Sequence, residues 1–308
     1  MQKRAQSDAL TTIQTGLIGR GIALSRTPAM HIREASAQGF SCDYRLFDMD
    51  TPEFDGISLA ALLDRIAGEG YAGVNVTYPF KIEIIPFLDD LSANAAAVGA
   101  VNTVVLRDGR RVGHNTDLWG FAESFRRGLG EASRNRVLLM GAGGAGVAVA
   151  HALADCGAVH LSIHDTDHER AEALATQVSS NRADVRAEAV GDLASYVRDQ
   201  RPEGIVNATP MGMAKLPGSA FPTDLLEPSM WVADIVYFPL ETELLRAARL
   251  RGCRTLPGSG MAVFQAVRAF ELFTGRPADP NRMKATFDSF DNNPAKQRTT
   301  ECNREETK

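Results

Sequence analysis

Apolar positions along this chain fall in short runs that alternate with stretches of helical period, the signature of an α/β fold. Thr15-Gly16-Leu17-Ile18-Gly19 reads as a strand running into a loop, Met30 to Gln38 as a helix, and Asp43 to Asp48 as an alternating strand. Ser58 to Ala67 repeats its apolar residues at helical spacing, and Gly68 and Gly70 punctuate its end. Tyr71 to Val76 reads as a strand broken by Tyr78-Pro79, and Val101 to Leu106 with Arg111 to His114 reads as a hairpin around Asp108-Gly109. From Thr116 the pattern changes. A helix near Leu118 to Leu129 precedes a polar loop, Gly130 to Asn135, and strand and helix then repeat through Val137–Met140, Val159–His164, Ile205–Ala208, Trp231–Tyr237 and Arg254–Leu256. That repetition predicts a parallel sheet with helices on both faces. A further helix is predicted from about Met261 to Thr274, and Asp288 to Lys308 is polar enough to predict a disordered tail.

At 308 residues there is room for one large or two ordinary domains. A net charge of -5 argues against a nucleic-acid partner, which usually meets a basic face. The four cysteines, Cys42, Cys156, Cys253 and Cys302, are scattered, without C-x-x-C or histidine spacing of metal-site type, so no metal is expected and free thiols are. His31 reads as a packing or capping residue and the other histidines as surface or loop residues. No apolar run approaches a membrane span, and Met1 to Thr12 lacks the apolar core of a signal peptide, so a cytoplasmic protein without membrane contact is expected.

The strand Val137–Met140 leads into Gly141-Ala142-Gly143-Gly144-Ala145-Gly146, a Gly-x-Gly-x-x-Gly turn followed by an alanine-rich helical pattern. In a dinucleotide site the first glycine makes the tight turn, the second admits a pyrophosphate to the backbone, and the third lets helix and strand pack closely. The anion then meets free amides at a helix N-terminus. Asp165 ends the next strand at about the right distance to accept from an adenosine ribose. The competing reading is a glycine-rich turn in some other α/β domain, with Asp165 starting a loop.

Other segments carry chemistry at predicted strand ends. Lys81, in Asn75-Val76-Thr77-Tyr78-Pro79-Phe80-Lys81, could accept a proton if burial disfavours its ammonium; the plainer alternative is a solvated lysine. Asp117, in Gly113-His114-Asn115-Thr116-Asp117, offers a carboxylate where Asp and Thr also often cap helices. Together the two could form a proton-transfer pair. Ser25-Arg26-Thr27-Pro28 places two hydroxyls before a helix, suited to a carboxylate or to capping.

These segments together resemble the shikimate dehydrogenase family, including its quinate/shikimate branch, from about Thr15 to Phe273. The motifs stand in the family's order: Ser25-x-Thr27-Pro28, Asn75-Val76-Thr77-x-Pro79-x-Lys81, Ala100-Val101-Asn102-Thr103, Asn115-Thr116-Asp117, the glycine turn, Asn207-Ala208-Thr209-Pro210-x-Gly212-Met213, Asp234-x-Val236-Tyr237-x-Pro239 and Pro257-Gly258-x-Gly260-Met261-x-Val263-x-Gln265-Ala266. The resemblance implies two domains: an N-terminal α/β substrate domain at 13–116, completed by a returning helix at about 261–285, and a Rossmann-like, doubly wound dinucleotide-binding domain at 117–260. It implies Lys81 and Asp117 as the catalytic pair, with Ser25, Thr27, Thr77, Asn102, Tyr237 and Gln265 around the substrate. Gly141, Gly143, Gly144, Ala145, Gly146, Asp165, Thr209, Met211 and Gly258 would lie along the cofactor. The reaction implied is reversible oxidation of a ring hydroxyl of quinate or shikimate to a ketone, by a monomer or homodimer.

Three departures matter. Thr27 stands where many shikimate-specific members carry serine, as in the quinate-using branch. His164-Asp165-Thr166-Asp167 stands where NADP-using members place Asn-Arg-Thr, and Asp165 suits free ribose hydroxyls while repelling a ribose phosphate, so NAD is expected over NADP. Ile32 replaces the family's asparagine after His31. The alternatives are an NADP-dependent biosynthetic shikimate dehydrogenase and a dinucleotide-binding sensor that has lost turnover.

Overall fold

The computed structural model describes residues 12–291. In chain order the elements are β1 (Thr12–Gly19), α1 (Thr27–Ala37), β2 (Ser41–Asp48), α2 (Leu59–Gly68), β3 (Gly73–Val76), β4 (Asp90–Leu91), α3 (Ala93–Val98), β5 (Thr103–Arg107), β6 (Arg110–His114) and α4 (Thr116–Leu129). There follow β7 (Arg136–Met140), α5 (Gly144–Asp155), β8 (His160–His164), α6 (His168–Asn181), β9 (Arg186–Ala189), α7 (Leu193–Gln200), β10 (Gly204–Asn207), β11 (Trp231–Asp234), α8 (Glu243–Leu250), β12 (Arg254–Leu256), α9 (Ser259–Thr274) and α10 (Pro280–Asp288). The described residues divide into two compact units: 12–89, 103–111 and 269–291 in the first, 90–102 and 112–268 in the second.

The first sheet has the order β2-β1-β3-β5-β6-β4. β1 runs parallel to both β2 and β3, whereas β5 turns antiparallel against β3. In β2, Cys42 and Tyr44 are buried on one face and Phe47 on the other, where Phe47 meets Phe54 edge-on and Tyr71 at a tilt. α2 starts where the Ser58 hydroxyl accepts from the Ala61 amide, and it buries Leu59, Leu62, Leu63 and Ile66 at i, i+3, i+4 and i+7. The second sheet is wholly parallel, in the order β12-β11-β10-β7-β8-β9. Its central strands are buried on both faces, which is why they read as unbroken apolar runs.

Several elements differ from the sequence expectation for physical reasons. β11 stops at Asp234 rather than Tyr237, because the Asp234 carboxylate accepts from the Val236 amide (3.0 Å) and folds the chain into a turn. The stretch read as one returning helix at about 261–285 is two helices. Gly275 adopts φ +69°, and Pro277 and Pro280 follow it. The expected tail from 288 overlaps the end of α10; residues 292–308 lie outside the described residues, as do residues 1–11. His151, expected at the surface or in a loop, is fully buried in α5, a helix whose apolar residues surround it on all sides.

Candidate active site

In the first unit the loops that follow β1 and β3 leave the same edge of the sheet, since the two strands are parallel neighbours with Ile18 opposite Val76. Arg20 donates through its amide to the Tyr78 carbonyl (3.2 Å), and Thr77 to the Ile18 carbonyl (2.9 Å), so the two loops are stitched together. This edge carries Ser25, Thr27, Thr77 and Lys81, each half-buried. The Ser25 hydroxyl accepts from the Thr27 amide (3.4 Å) at the start of α1, so it takes part in the capping turn as well. Beneath the edge, Tyr44 donates to Asn75 and Asn75 donates to Thr103, a buried network that holds the motif's asparagine in place.

In the second unit α4 is capped by Asn115. Its side chain accepts from the Leu118 amide (3.0 Å) and donates to the Ala100 carbonyl (3.0 Å). Neither Thr116 nor Asp117 has that task, so the Asp117 carboxylate stands half-buried in the first helical turn, where the helix dipole favours its charge. Asn102 is buried, and its Oδ1 accepts from both the amide (2.7 Å) and the hydroxyl (3.1 Å) of Thr116. Gln265 lies half-buried on α9, which crosses α4 at Gly120 so closely that a Cβ there would stand 2.7 Å from the Gln265 nitrogen. Asn102, Asp117 and Gln265 are therefore carried on one rigid framework. His114, next to this motif, has its pKa lowered by burial and by Arg268.

The second sheet reverses its winding between β7 and β10, the place where open α/β sheets take ligands. The glycine turn sits at that point. Gly141 adopts φ +100°, and a Cβ on Gly146 would stand 1.9 Å from the Gly141 carbonyl oxygen, so only glycine lets α5 dock on β7. Gly143 and Gly144 face open space instead. No side chain caps α5, and its ladder begins with Val147 donating to Gly143, which leaves the amides of Gly144, Ala145 and Gly146 ahead of it. An open cradle of amides at a helix N-terminus is what a dinucleotide pyrophosphate requires, so the residues fit that group.

Asp165 ends β8 beside the turn. Its Oδ2 accepts from the Ala142 amide (2.7 Å) and its Oδ1 from the Asp167 amide (2.9 Å). Burial raises its pKa, but these two amides, with Thr166 and Arg170, outweigh that and hold the carboxyl below its ordinary value. At the end of β10, Asn207 accepts from the amide and hydroxyl of Thr209 and donates to the Met211 carbonyl and to Asp234. Asp234 also accepts from the Thr242 hydroxyl (2.7 Å). This buried network shapes the loop that presents Thr209 and Met211; motif spacing gave no sign that these residues bond one another. Tyr237 is exposed, and Gly258 is buried against the Ile235 carbonyl. Among the described residues no group of three or more His, Cys, Asp or Glu is placed to hold a metal ion, and no helix is long and apolar enough to cross a membrane.

Comparison with known proteins agrees with this architecture. A model of the shikimate dehydrogenase substrate binding domain matches residues 17–104, and one of the shikimate 5'-dehydrogenase C-terminal domain matches residues 258–286. Residues 116–237 match the model of the ThiF family. The chain is 52% identical over 272 residues to a shikimate dehydrogenase (NADP(+)) of Streptomyces avermitilis, spanning 88% of this chain and 93% of that one. It is 48% identical over 285 residues to a quinate/shikimate dehydrogenase (NAD(+)) of Corynebacterium efficiens, spanning 90% and 98%. The quinate dehydrogenase of Corynebacterium glutamicum, solved in complex with NAD, superposes with a TM-score of 0.87 at 46% identity, covering 90% of this chain and 99% of that one. The chain belongs to the shikimate dehydrogenase family of oxidoreductases.

Proposed function

We propose that the protein catalyses reversible oxidation of a ring hydroxyl of quinate, shikimate or both to the 3-dehydro ketone, with NAD as the preferred cofactor. The observation that carries the cofactor preference is the ionised Asp165 beside the glycine turn. A carboxylate accepts hydrogen bonds from two ribose hydroxyls, whereas a 2′-phosphate meets a like charge there. The Corynebacterium relatives that bear NAD(+) in their names support this reading. The NADP-dependent alternative draws on the Streptomyces relative, and Asp165 weighs against it.

In this reading the glycine turn of the second unit takes the cofactor. The amides of Gly144, Ala145 and Gly146 would hold the pyrophosphate, with Gly141 making the tight turn, Gly143 and Gly144 keeping the approach open, and Thr209, Met211 and Gly258 contributing to the cofactor site. When bound, the nicotinamide supplies the hydride acceptor or donor. The chain's own residues orient the substrate and move one proton. Ser25 and Thr27 take the substrate carboxylate. Thr77, Asn102, Gln265 and Tyr237 take its hydroxyls, and because Asn102 Oδ1 is committed to Thr116, Asn102 serves the ligand as a donor through Nδ2. Lys81 removes the proton from the reacting hydroxyl in the oxidative direction and returns it in the reductive one, and Asp117 supplies the carboxylate of the catalytic pair.

The test is Lys81→Ala. Removing a positioned acid–base group costs about a hundredfold to ten-thousandfold in turnover. NAD binding, measured by titration, should stay near normal. Near-normal turnover of the variant would remove Lys81 from the mechanism, and Asp117→Asn should also lower turnover.

A further inference from the structure

The residue between the two substrate hydroxyls, Arg26, does not face its task alone. Its guanidinium pairs with the Asp291 carboxylate through both terminal nitrogens, at 2.7 Å and 2.5 Å, and Nη1 also donates to the Phe287 carbonyl (3.0 Å) at the end of α10. It lies over the rings of Phe287 (4.6 Å) and Phe290 (5.6 Å). The Arg26 side chain is 11% exposed and that of Asp291 29%. Arg26 is also the N-cap residue of α1, the helix that Thr27 opens. Further polar contacts bind α1 to α10: buried Glu34 with Arg282 (2.9 Å) and the Asp279 amide (3.1 Å), and Gln38 with the Pro277 carbonyl (2.8 Å).

We propose that Arg26 is a positioning residue: clamped by Asp291 and the end of α10, it fixes the Ser25–Thr27 turn in the shape that receives the substrate carboxylate. This rests on the reading of Ser25 and Thr27 as the carboxylate site. A bidentate guanidinium–carboxylate pair is directional as well as strong, so it sets the backbone of residue 26 and with it the spacing of the two flanking hydroxyls. It also engages the guanidinium nitrogens that a direct role would need. An arginine whose fork is filled by a carboxylate of its own chain is not a ligand for the substrate's.

The experiment is steady-state kinetics of the full chain with quinate or shikimate and NAD. Arg26→Ala and Asp291→Asn should each raise the substrate KM about tenfold, since a charge-assisted bond is lost, with little change in kcat or in the KM for NAD. The double variant should be no worse than the poorer single, as expected of one linked interaction. Asp291→Glu should recover much of the loss. Lys284→Ala, which removes an exposed pair with Asp288 on the same helix, should leave the KM unchanged. If Arg26 instead bound the substrate directly, Asp291→Asn would release its fork and lower or preserve the KM, and that result overturns the clamp. Ser25→Ala and Thr27→Val serve as the reference. If they raise the KM while Arg26→Ala and Asp291→Asn do not, the clamp alone fails; if they leave it unchanged, the carboxylate site and the clamp fail together.

Discussion

His151 should make the second unit acid-sensitive. Its imidazole is fully buried in α5. Burial, aided by the nearby Arg182 guanidinium and opposed in part by the Ala97 carbonyl, lowers its pKa from 6.5 to about 4. The native state therefore binds fewer protons than the unfolded state between these values, so stability rises with pH across that window. It is complete above the unfolded pKa and falls as the pH drops toward the folded one. A shift of this size corresponds to roughly 3 kcal/mol when fully developed, of which about 2 kcal/mol is lost by pH 5. The chain's two tryptophans, Trp119 and Trp231, both lie in the second unit, so their fluorescence reports its unfolding. Urea denaturation near pH 7.5 and near pH 5 should show the native sequence losing about 2 kcal/mol more than His151→Leu, because carboxylates that titrate in the same range are common to both. His151→Gln, which also cannot ionise, should behave as the leucine variant does. Equal losses in all three proteins would refute the reasoning.

Gly120→Ala would normally strengthen a helix by about 0.5–1 kcal/mol, yet here the new Cβ meets the Gln265 nitrogen at 2.7 Å and the Met261 oxygen at 2.8 Å. Overpacking against backbone costs about 1–3 kcal/mol, so thermal unfolding should show a net loss and substrate KM should rise as Gln265 is displaced; a more stable variant with unchanged KM would contradict this. Thr27→Ser keeps the hydroxyl and removes a methyl, so it should shift the ratio of kcat/KM for quinate and shikimate more than it lowers both, and an unchanged ratio would count against it. Asp165→Ser with Thr166→Arg should raise NADP use and weaken NAD use. Overall turnover should also fall, since serine cannot reproduce both amide bonds of the Asp165 carboxylate.

The strands were the most legible part of the sequence, because each carries an apolar run between turn residues. β9 escaped, since Arg186-Ala187-Glu188-Ala189 lies at the sheet's edge and alternates charge with alanine rather than with large apolar residues. The end of α10 was hidden by its polarity, with burial resting on Met283, Thr286 and Phe287 alone. His151 could have been found: Gly144 to Asp155 is apolar nearly all round, and a helix of that kind is buried on every face, its histidine included. The site was legible as residue types at strand ends, but its supports were not. Whether Asn115, Thr116 or Asp117 capped α4 depended on backbone angles. That Asp165 grips the Ala142 amide, or that Arg26 meets a carboxylate 265 residues away, is set by tertiary packing that no local pattern encodes.

The central claim, an NAD-preferring dehydrogenase for quinate or shikimate, is tested most directly by one kinetic matrix on the unmodified protein: quinate and shikimate, each with NAD and with NADP, compared by kcat/KM. The structure predicts turnover of at least one of the two substrates and a higher kcat/KM with NAD. Preference for NADP would overturn the role given to Asp165, and no turnover of either substrate with either cofactor would contradict the account as a whole.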